Sequence, residues 1–362
     1  MFSNHYSWHM ALEFKKIFFT GRHTLFDKNG LILPRFNLMS ELFQSQGYLI
    51  TSDKDADYLI MLDHFPRKFR DWTPTLSEKP KSILIQMETD QILPQQNNAY
   101  KLYEVVIKIG RQKPERLLDQ KFYFVNHPYI PLENPAQLGT LTSKKFFEKD
   151  LKSHSEWLTR KIEVSMIAMN KFADGKSNLY NLRRKVVKKY GQSVLQVYGY
   201  YWEGFSRQTI INRIGFIKNS VLSFTNPQII LILKDLFTFY PSNICAVEDK
   251  FDILFNSKYN LIIENSTTTI TEKLFDALWA GCIPIYVGPP LNSFKLPSGV
   301  AIEISPEQLL SEFHQIITSN YNEEDILKCG KNFINSTEFA QNWGYESVFR
   351  EIVEKCTNVF DG

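Results

Sequence analysis

Glu264, Asn265, Thr271, Glu272 and Lys273 fall in one short window, between an apolar run that ends at Ile263 and an apolar helix pattern that begins near Glu272. A strand that ends in polar residues and feeds straight into a helix is where α/β proteins hold ligands. Thr271 is placed to cap that helix, and the free backbone N–H groups of its first turn favour an anion. Lys273 adds a compact positive charge suited to phosphate. Glu272 repels phosphate, so it faces something else, such as a ribose or sugar hydroxyl. A phosphorylated sugar nucleotide satisfies every member of the set. The plainer reading is that Thr271 and Glu272 only cap the helix, acids being favoured in a first turn, and that Lys273 is a solvated side chain.

The elements that must position these residues alternate along the whole chain. In the first half "KKIFFTG", "YLITS", "DYLIMLDH", "SILIQME", "EVVIKIG" and "KFYFVNHPYIP" read as strands, and "FNLMSELFQSQGY" as a helix closed by Gly47. A polar, amphipathic stretch from Thr142 to Lys161 reads as a linker, with a boundary near Ser155. The second half restarts with "EVSMIAMNK" as a strand, "NLYNLRRKVVKKYG" as a helix stopped by Gly191, and "KYNLIIENS" as a strand. "TEKLFDALWAG" is then a helix closed by Gly281, and "IPIYVG" a strand. This alternation predicts parallel sheets, hence an α/β protein of two Rossmann-like domains facing across a cleft. The expected division is residues 1–155, 156–345, and a terminal helix 346–362 that crosses back to the first domain.

With 362 residues the chain is long enough for two cores, and 43% hydrophobic against 22% charged residues is an ordinary globular balance. A net charge of +3 with dispersed basic residues argues against nucleic acid. Cys245, Cys282, Cys329 and Cys356 have neither zinc nor disulfide spacing, which favours a reducing compartment. No apolar run approaches the ~20 residues of a membrane span, and the N-terminal stretch lacks a signal-peptide core. The expectation is a cytoplasmic protein with at most peripheral membrane contact. Asp53 and Asp55 have the Asp-x-Asp spacing of metal-dependent transferases, but they read as a surface loop. His127 in "VNHPYIP" borders the acceptor cleft on one reading and is a plain loop histidine on the other. The phosphate-binding glycine motifs of dehydrogenases and kinases do not occur.

The stretch from Lys258 to Gly288, "KYNLIIENSTTTITEKLFDALWAGCIPIYVG", resembles the signature of the α1,3-fucosyltransferases of glycosyltransferase family 10. The matching residues include Glu264, Asn265, Thr271, Glu272, Lys273, Asp276, Gly281, Pro284, Tyr286 and Gly288. The resemblance implies a GT-B fold, transfer of L-fucose from GDP-β-L-fucose with inversion, and no metal or other cofactor. "NLYNLRRKVVKKYG" resembles the family helix whose arginine binds the diphosphate. Arg183 fits the apolar spacing, with Val186, Val187 and Tyr190 following, and Arg184 is its open alternative. "SILIQMETDQILPQQN" resembles the strand that ends on the family's general base, here Glu88, with Asp90 as the alternative acid. The sequence departs from the family pattern at Thr269, Val287 and Pro289, all near the donor sugar.

The expectation is therefore a compact bacterial-type glycosyltransferase. Glu88 would deprotonate an acceptor hydroxyl, Arg183 and Lys273 would bind the diphosphate, and Glu264, Asn265, Thr271 and Glu272 would complete the donor site. The partners would be a GDP-sugar and a glycan of a surface polysaccharide or lipopolysaccharide. The rival expectations are the same fold with another nucleotide sugar, or a sugar-nucleotide-binding protein without catalysis.

Overall fold

The computed structural model describes residues 14–21, 25–33, 36–72, 81–87, 99–110, 121–129, 154–171, 178–202, 238, 240 and 250–362. The first half builds a six-stranded, wholly parallel sheet from β1 (Lys15–Gly21), β2 (Tyr48–Thr51), β3 (Tyr58–Leu62), β4 (Ser82–Gln86), β5 (Val105–Ile109) and β6 (Lys121–Val125). The strand order is β2-β1-β3-β4-β5-β6. Strands β4 and β5 are buried at every position, as expected of strands covered on both faces. Ile17, Phe19, Ile60, Ile83 and Ile107 point to one core, and Phe18, Leu59, Met61, Leu84 and Val106 to the other. Helix α1 (Asn37–Ser45) buries Met39, Leu42 and Phe43, its i, i+3 and i+4 positions. Helix α2 (Pro66–Trp72) follows β3.

The second half builds a five-stranded parallel sheet from β7 (Ile162–Ile167), β8 (Leu195–Tyr198), β9 (Ser257–Ile263), β10 (Ile283–Val287) and β11 (Ile302–Glu303). Its order is β11-β10-β9-β7-β8. Among the described residues the helices here are α3 (His154–Leu158), α4 (Tyr180–Tyr190), α5 (Lys250–Asn256), α6 (Glu272–Trp279), α7 (Pro306–Thr318), α8 (Glu323–Ile334) and α9 (Thr337–Trp343). Tyr259, Leu261 and Ile263 of β9 face one core, and Ile262 faces the other. The remaining inward polar residue, Asn260, is satisfied by donating to Ser165 Oγ at 2.9 Å. Helix α6 closes on Gly281 at φ +67, with Cys282 N–H donating to Ala277 O and Gly281 N–H to Leu278 O. That left-handed exit turns the chain at once into β10, and glycine is the residue that adopts it without strain. Gly191, by contrast, ends α4 at φ −67, without such a turn.

The expected linker lies outside the described residues up to residue 153 and then becomes α3, whose Trp157 packs in the second core. The final helix, α10 (Tyr345–Asp361), packs Val348, Phe349, Ile352, Val353, Cys356 and Phe360 into the core of the first sheet. Its end is held there too. Tyr48 Oη donates to Asp361 Oδ1 at 2.6 Å, and Lys81 Nζ donates to the carbonyls of Val359 and Phe360 at 3.1 Å each. A cation on the last carbonyls also complements the helix dipole.

Candidate functional site

In an open parallel sheet the ligand crevice forms where the strand order reverses, outside the carboxyl ends of the strands. In the second sheet that point lies between β7 and β9, because β8 is added on one side of β7 and β9 on the other. Glu264 and Asn265 leave β9 there, and α6 begins a few residues on. The sheet thus brings the sequence-predicted donor residues to the crevice that its own topology defines.

The polar loop at this crevice is held shut by Glu264, which is fully buried. Its Oε1 accepts from Thr271 N–H at 2.9 Å and its Oε2 from the Thr271 hydroxyl at 2.7 Å. Within the loop, Ser266 Oγ lies 3.0 Å from Thr268 Oγ1, and the Ser266 backbone forms an antiparallel bridge with Thr269. Thr271 stands at the N-cap of α6, but its side chain does not cap the helix. The hydroxyl is turned to the buried Glu264 carboxyl group instead and accepts from Lys273 Nζ. Gly288 at the end of β10 makes room for this arrangement, since a Cβ there would lie 2.8 Å from Glu264 Cγ and 2.4 Å from Tyr286 Oη.

Lys273 Nζ donates to Thr271 Oγ1 at 2.9 Å and sits 3.9 Å from Glu264 Oε2 and 3.8 Å from Glu272 Oε1. Glu264, Thr271 and Lys273 are therefore one chain of contacts, and Glu272 flanks it. The Glu272 side chain is 40% exposed. Desolvation pushes its carboxyl up, but Lys273, His127, Lys250 and a backbone hydrogen bond outweigh that and hold it down at about 2. It is an ionised acceptor at the helix mouth over the whole physiological range.

Arg183 lies in the same crevice, but pointing inward. The side chain is 2% exposed. Its Nε donates to Ile263 O at 2.9 Å, and its Nη2 donates to Ile263 O and to Asn265 Oδ1, the latter at 2.9 Å. The guanidinium lies over the Tyr180 ring, 4.8 Å from its centroid. Burial pulls its pKa below the usual arginine value, against the opposing fields of Tyr180, Glu264 and Glu272. Its fork is thus committed to the end of β9 and to Asn265. Arg184 is half-buried and donates through Nη1 to Lys171 O at 2.7 Å.

Glu88 and Asp90 lie outside the described residues. The residue before Glu88 is held firmly: Met87 N–H donates to Asp63 Oδ1 at 2.9 Å, and Asp63 N–H to Ile85 O at 2.9 Å. Asp63 is fully buried with φ +53, a left-handed conformation that aspartate tolerates better than most residues. The Asp53 and Asp55 pair forms a local turn after β2, with Asp55 N–H donating to Asp53 Oδ1 at 3.1 Å. Among the described residues no group of three His, Cys, Asp or Glu is arranged to hold a metal ion, and no helix is long and apolar enough to cross a membrane.

Sequence reasoning missed a second cluster, one turn along α6. Asp276 is 3% exposed, accepts from Lys250 Nζ at 2.6 Å and accepts from Tyr129 Oη at 3.3 Å. Burial raises its pKa to about 6, with Glu272 adding to the rise and Lys250 opposing it. The sequence signals were the place of Asp276 in the family 10 resemblance and its i, i+4 spacing from Glu272. Nothing local pointed to Tyr129 or Lys250. A further contact joins the two halves: Gly110, just past β5 at φ +95, lies so close to the loop after β9 that a Cβ there would be 2.5 Å from Thr269 Oγ1 and 2.9 Å from Thr268 O.

No family model and no curated protein matches the sequence. Solved structures do. The Anabaena protein HepE in complex with UDP and glucose aligns over 95% of this chain and 100% of its own, at 7% identity and a TM-score of 0.53. The sucrose-phosphate synthase of Thermosynechococcus elongatus aligns over 91% of this chain and 78% of its own, at 10% identity and a TM-score of 0.50. An α1,3-fucosyltransferase aligns over 96% of this chain and 91% of its own, at 14% identity and a TM-score of 0.49. With its two parallel sheets and the switch-point crevice, the chain has the GT-B fold of glycosyltransferases.

Proposed function

We propose that the protein is an inverting glycosyltransferase that takes a nucleoside-diphosphate sugar, with GDP-β-L-fucose as the donor, and transfers the sugar to a hydroxyl of an acceptor glycan. The observation that carries this reading is the Glu264–Thr271–Lys273 chain at the mouth of α6. It holds an ammonium at a helix N-terminus, where a diphosphate gains from both the side-chain charge and the backbone amides. The GDP-fucose assignment rests on the resemblance of residues 258–288 to the family 10 signature.

In this reading Lys273 contacts the diphosphate and stabilises the charge that develops as the nucleotide leaves. Glu272, ionised and half-buried, accepts from hydroxyls of the donor. Glu264, Asn265 and Arg183 act from beneath, fixing the loop on which the donor rests. Glu88 takes the proton of the acceptor hydroxyl, whose oxygen attacks the anomeric carbon as the bond to the phosphate oxygen breaks. A polysaccharide or lipopolysaccharide glycan is the acceptor class, reached with at most peripheral contact at a membrane.

A second reading is the same chemistry with a UDP-sugar, favoured by the fold's likeness to HepE, whose structure was solved with UDP-glucose. Calorimetric titration with GDP and UDP separates the two. Tighter binding of GDP is expected. Equal or tighter binding of UDP overturns the guanine assignment. If neither nucleotide binds, the donor site itself is refuted.

A further inference from the structure

The pairing of β7 with β8 continues past the ends of both strands. Ala168 N–H donates to Tyr198 O at 2.8 Å and Asn170 N–H to Tyr200 O at 3.0 Å. Ile167 is the register partner of Tyr198, so the next two-residue step of the ladder sets Met169 beside Tyr200. Residues i and i+2 of an extended chain share a face. Ile167 packs against the core under α6, so Met169 and Tyr200 stand at the carboxyl edge of the sheet on the α6 side. Both are exposed, Met169 to 40% and Tyr200 to 43%.

The turn that carries Tyr200 is built firmly from below. Gly199, at φ +134, comes so near β7 that a Cβ there would lie 2.2 Å from Ala168 O. Trp202 is 1% exposed and donates from Nε1 to the same carbonyl at 2.7 Å. Tyr201, between them, takes φ +71, a left-handed conformation that is costly for a bulky side chain and persists only where the surroundings impose it. Its ring centroid lies 6.2 Å from that of Tyr200. A thioether and an aromatic ring held side by side at a fixed sheet edge form a surface on which a flat, apolar ring can lie.

The place of this surface says which ring. The donor crevice opens between β7 and β9, with Lys273 beyond β9 at the mouth of α6. Met169 follows β7, which walls that crevice, and Tyr200 follows β8, the next strand out. From β9 to β8 is two strand spacings, about 10 Å. On the other flank β10 ends in Gly288, packed against Glu264 and Tyr286. Of the exposed large apolar side chains among the described residues of the second half, Leu158, Met169 and Tyr200, only the last two lie at the carboxyl edge. We propose that Met169 and Tyr200 are the stacking platform for the nucleobase of the donor. This rests on the donor reading above, in which Lys273 takes the diphosphate. The ribose then spans the crevice over β7 and carries the base to β8. Stacking uses the π-face that every base has, so the platform adds affinity for any nucleotide and more for a purine, whose ring system covers more of it.

The test is calorimetric titration of the full chain and of Tyr200→Ala, Tyr200→Phe and Met169→Ala with GDP, GDP-fucose, UDP and pyrophosphate. Tyr200→Ala is expected to weaken GDP about 10-fold, the scale of one base stacked on an aromatic ring, and pyrophosphate less than about 2-fold. Tyr200→Phe keeps the ring and should bind GDP within about 2-fold of the parent, and Met169→Ala should lose about 3-fold. UDP should lose less than GDP. Parent-like GDP affinity in Tyr200→Ala overturns the proposal. So does an equal loss on pyrophosphate, which has no base, and so does a loss confined to GDP-fucose, which would give the platform to the sugar. Should the parent prefer UDP, the guanine assignment falls, and a loss on UDP with pyrophosphate spared keeps the platform. If the parent binds none of the four, the donor reading falls and the platform with it.

Discussion

Asp276→Asn should change how stability depends on pH, and should do so with a sign opposite to that of a carboxylate whose pKa is lowered by an ion pair. Burial raises the Asp276 carboxyl from 3.8 to about 6 in the folded chain. Between about pH 4 and pH 6 the native state keeps a proton that the unfolded chain has released. Unfolding free energy then falls as pH rises through that window. The full difference is at most ~3 kcal/mol, from 1.36 kcal/mol per pKa unit. Lys250, 2.6 Å away, already opposes the rise and is counted in it. Asparagine cannot ionise, so the variant should lose this slope. It also leaves Lys250 without its carboxylate, a cost that does not change with pH between 4 and 6 because lysine stays charged throughout. The measurement is urea denaturation of parent and variant at half-unit steps from pH 4 to pH 7. The quantity to plot is the difference between them, which removes other titrating groups such as His64. His64 is held neutral by burial, down at about 4, and so loses stability as pH falls. A difference curve that is flat from pH 4 to pH 6 refutes the assigned environment of Asp276. One that rises in the opposite direction would mean that Lys250 dominates and the carboxyl is held below its ordinary value.

Thr271→Val removes the hydroxyl that donates to Glu264 at 2.7 Å and accepts from Lys273 at 2.9 Å, while keeping the shape. It should cost about 2–4 kcal/mol of stability, two hydrogen bonds to charged groups, whereas Thr271→Ser should cost less than ~1 kcal/mol; chemical denaturation decides, and a valine variant within ~0.5 kcal/mol of the parent would refute the staple. Lys273→Ala should weaken GDP binding by roughly 1.5–3 kcal/mol, measured by calorimetry, and should lower stability by less than Thr271→Val does, since it removes only one of the two Thr271 hydroxyl bonds. Arg183→Ala, which leaves Ile263 O and Asn265 without their donor, should weaken binding and also lower the unfolding midpoint; loss of binding with an unchanged midpoint would return Arg183 to direct diphosphate contact. Glu88→Gln should lower turnover by about 100-fold or more with GDP affinity unchanged, and Asp90→Asn should not; the reverse result moves the base to Asp90.

The sequence alone carried the α/β class, the two-sheet division and the mouth of α6. These are written in short-range patterns. Buried parallel strands are continuous apolar runs, helices repeat at 3.6 residues, and a strand that turns polar before a helix marks a crevice. The resemblance of residues 258–288 added a donor class to that local reading. The tertiary structure decided what each side chain faces. Arg183 read as an open diphosphate fork, yet it reaches Ile263, 80 residues away, because α4 lies over the end of β9. Thr271 read as a helix cap, and its hydroxyl went to Glu264 once β9 and the loop closed on each other. Tyr129 and Asp276 are 147 residues apart and meet because the chain after β6 pairs with Trp343 and Gly344 beside the start of α10. A periodic pattern encodes which face of an element is buried. It does not encode which distant element covers that face, and the partners of Arg183, Thr271 and Asp276 were fixed by that choice.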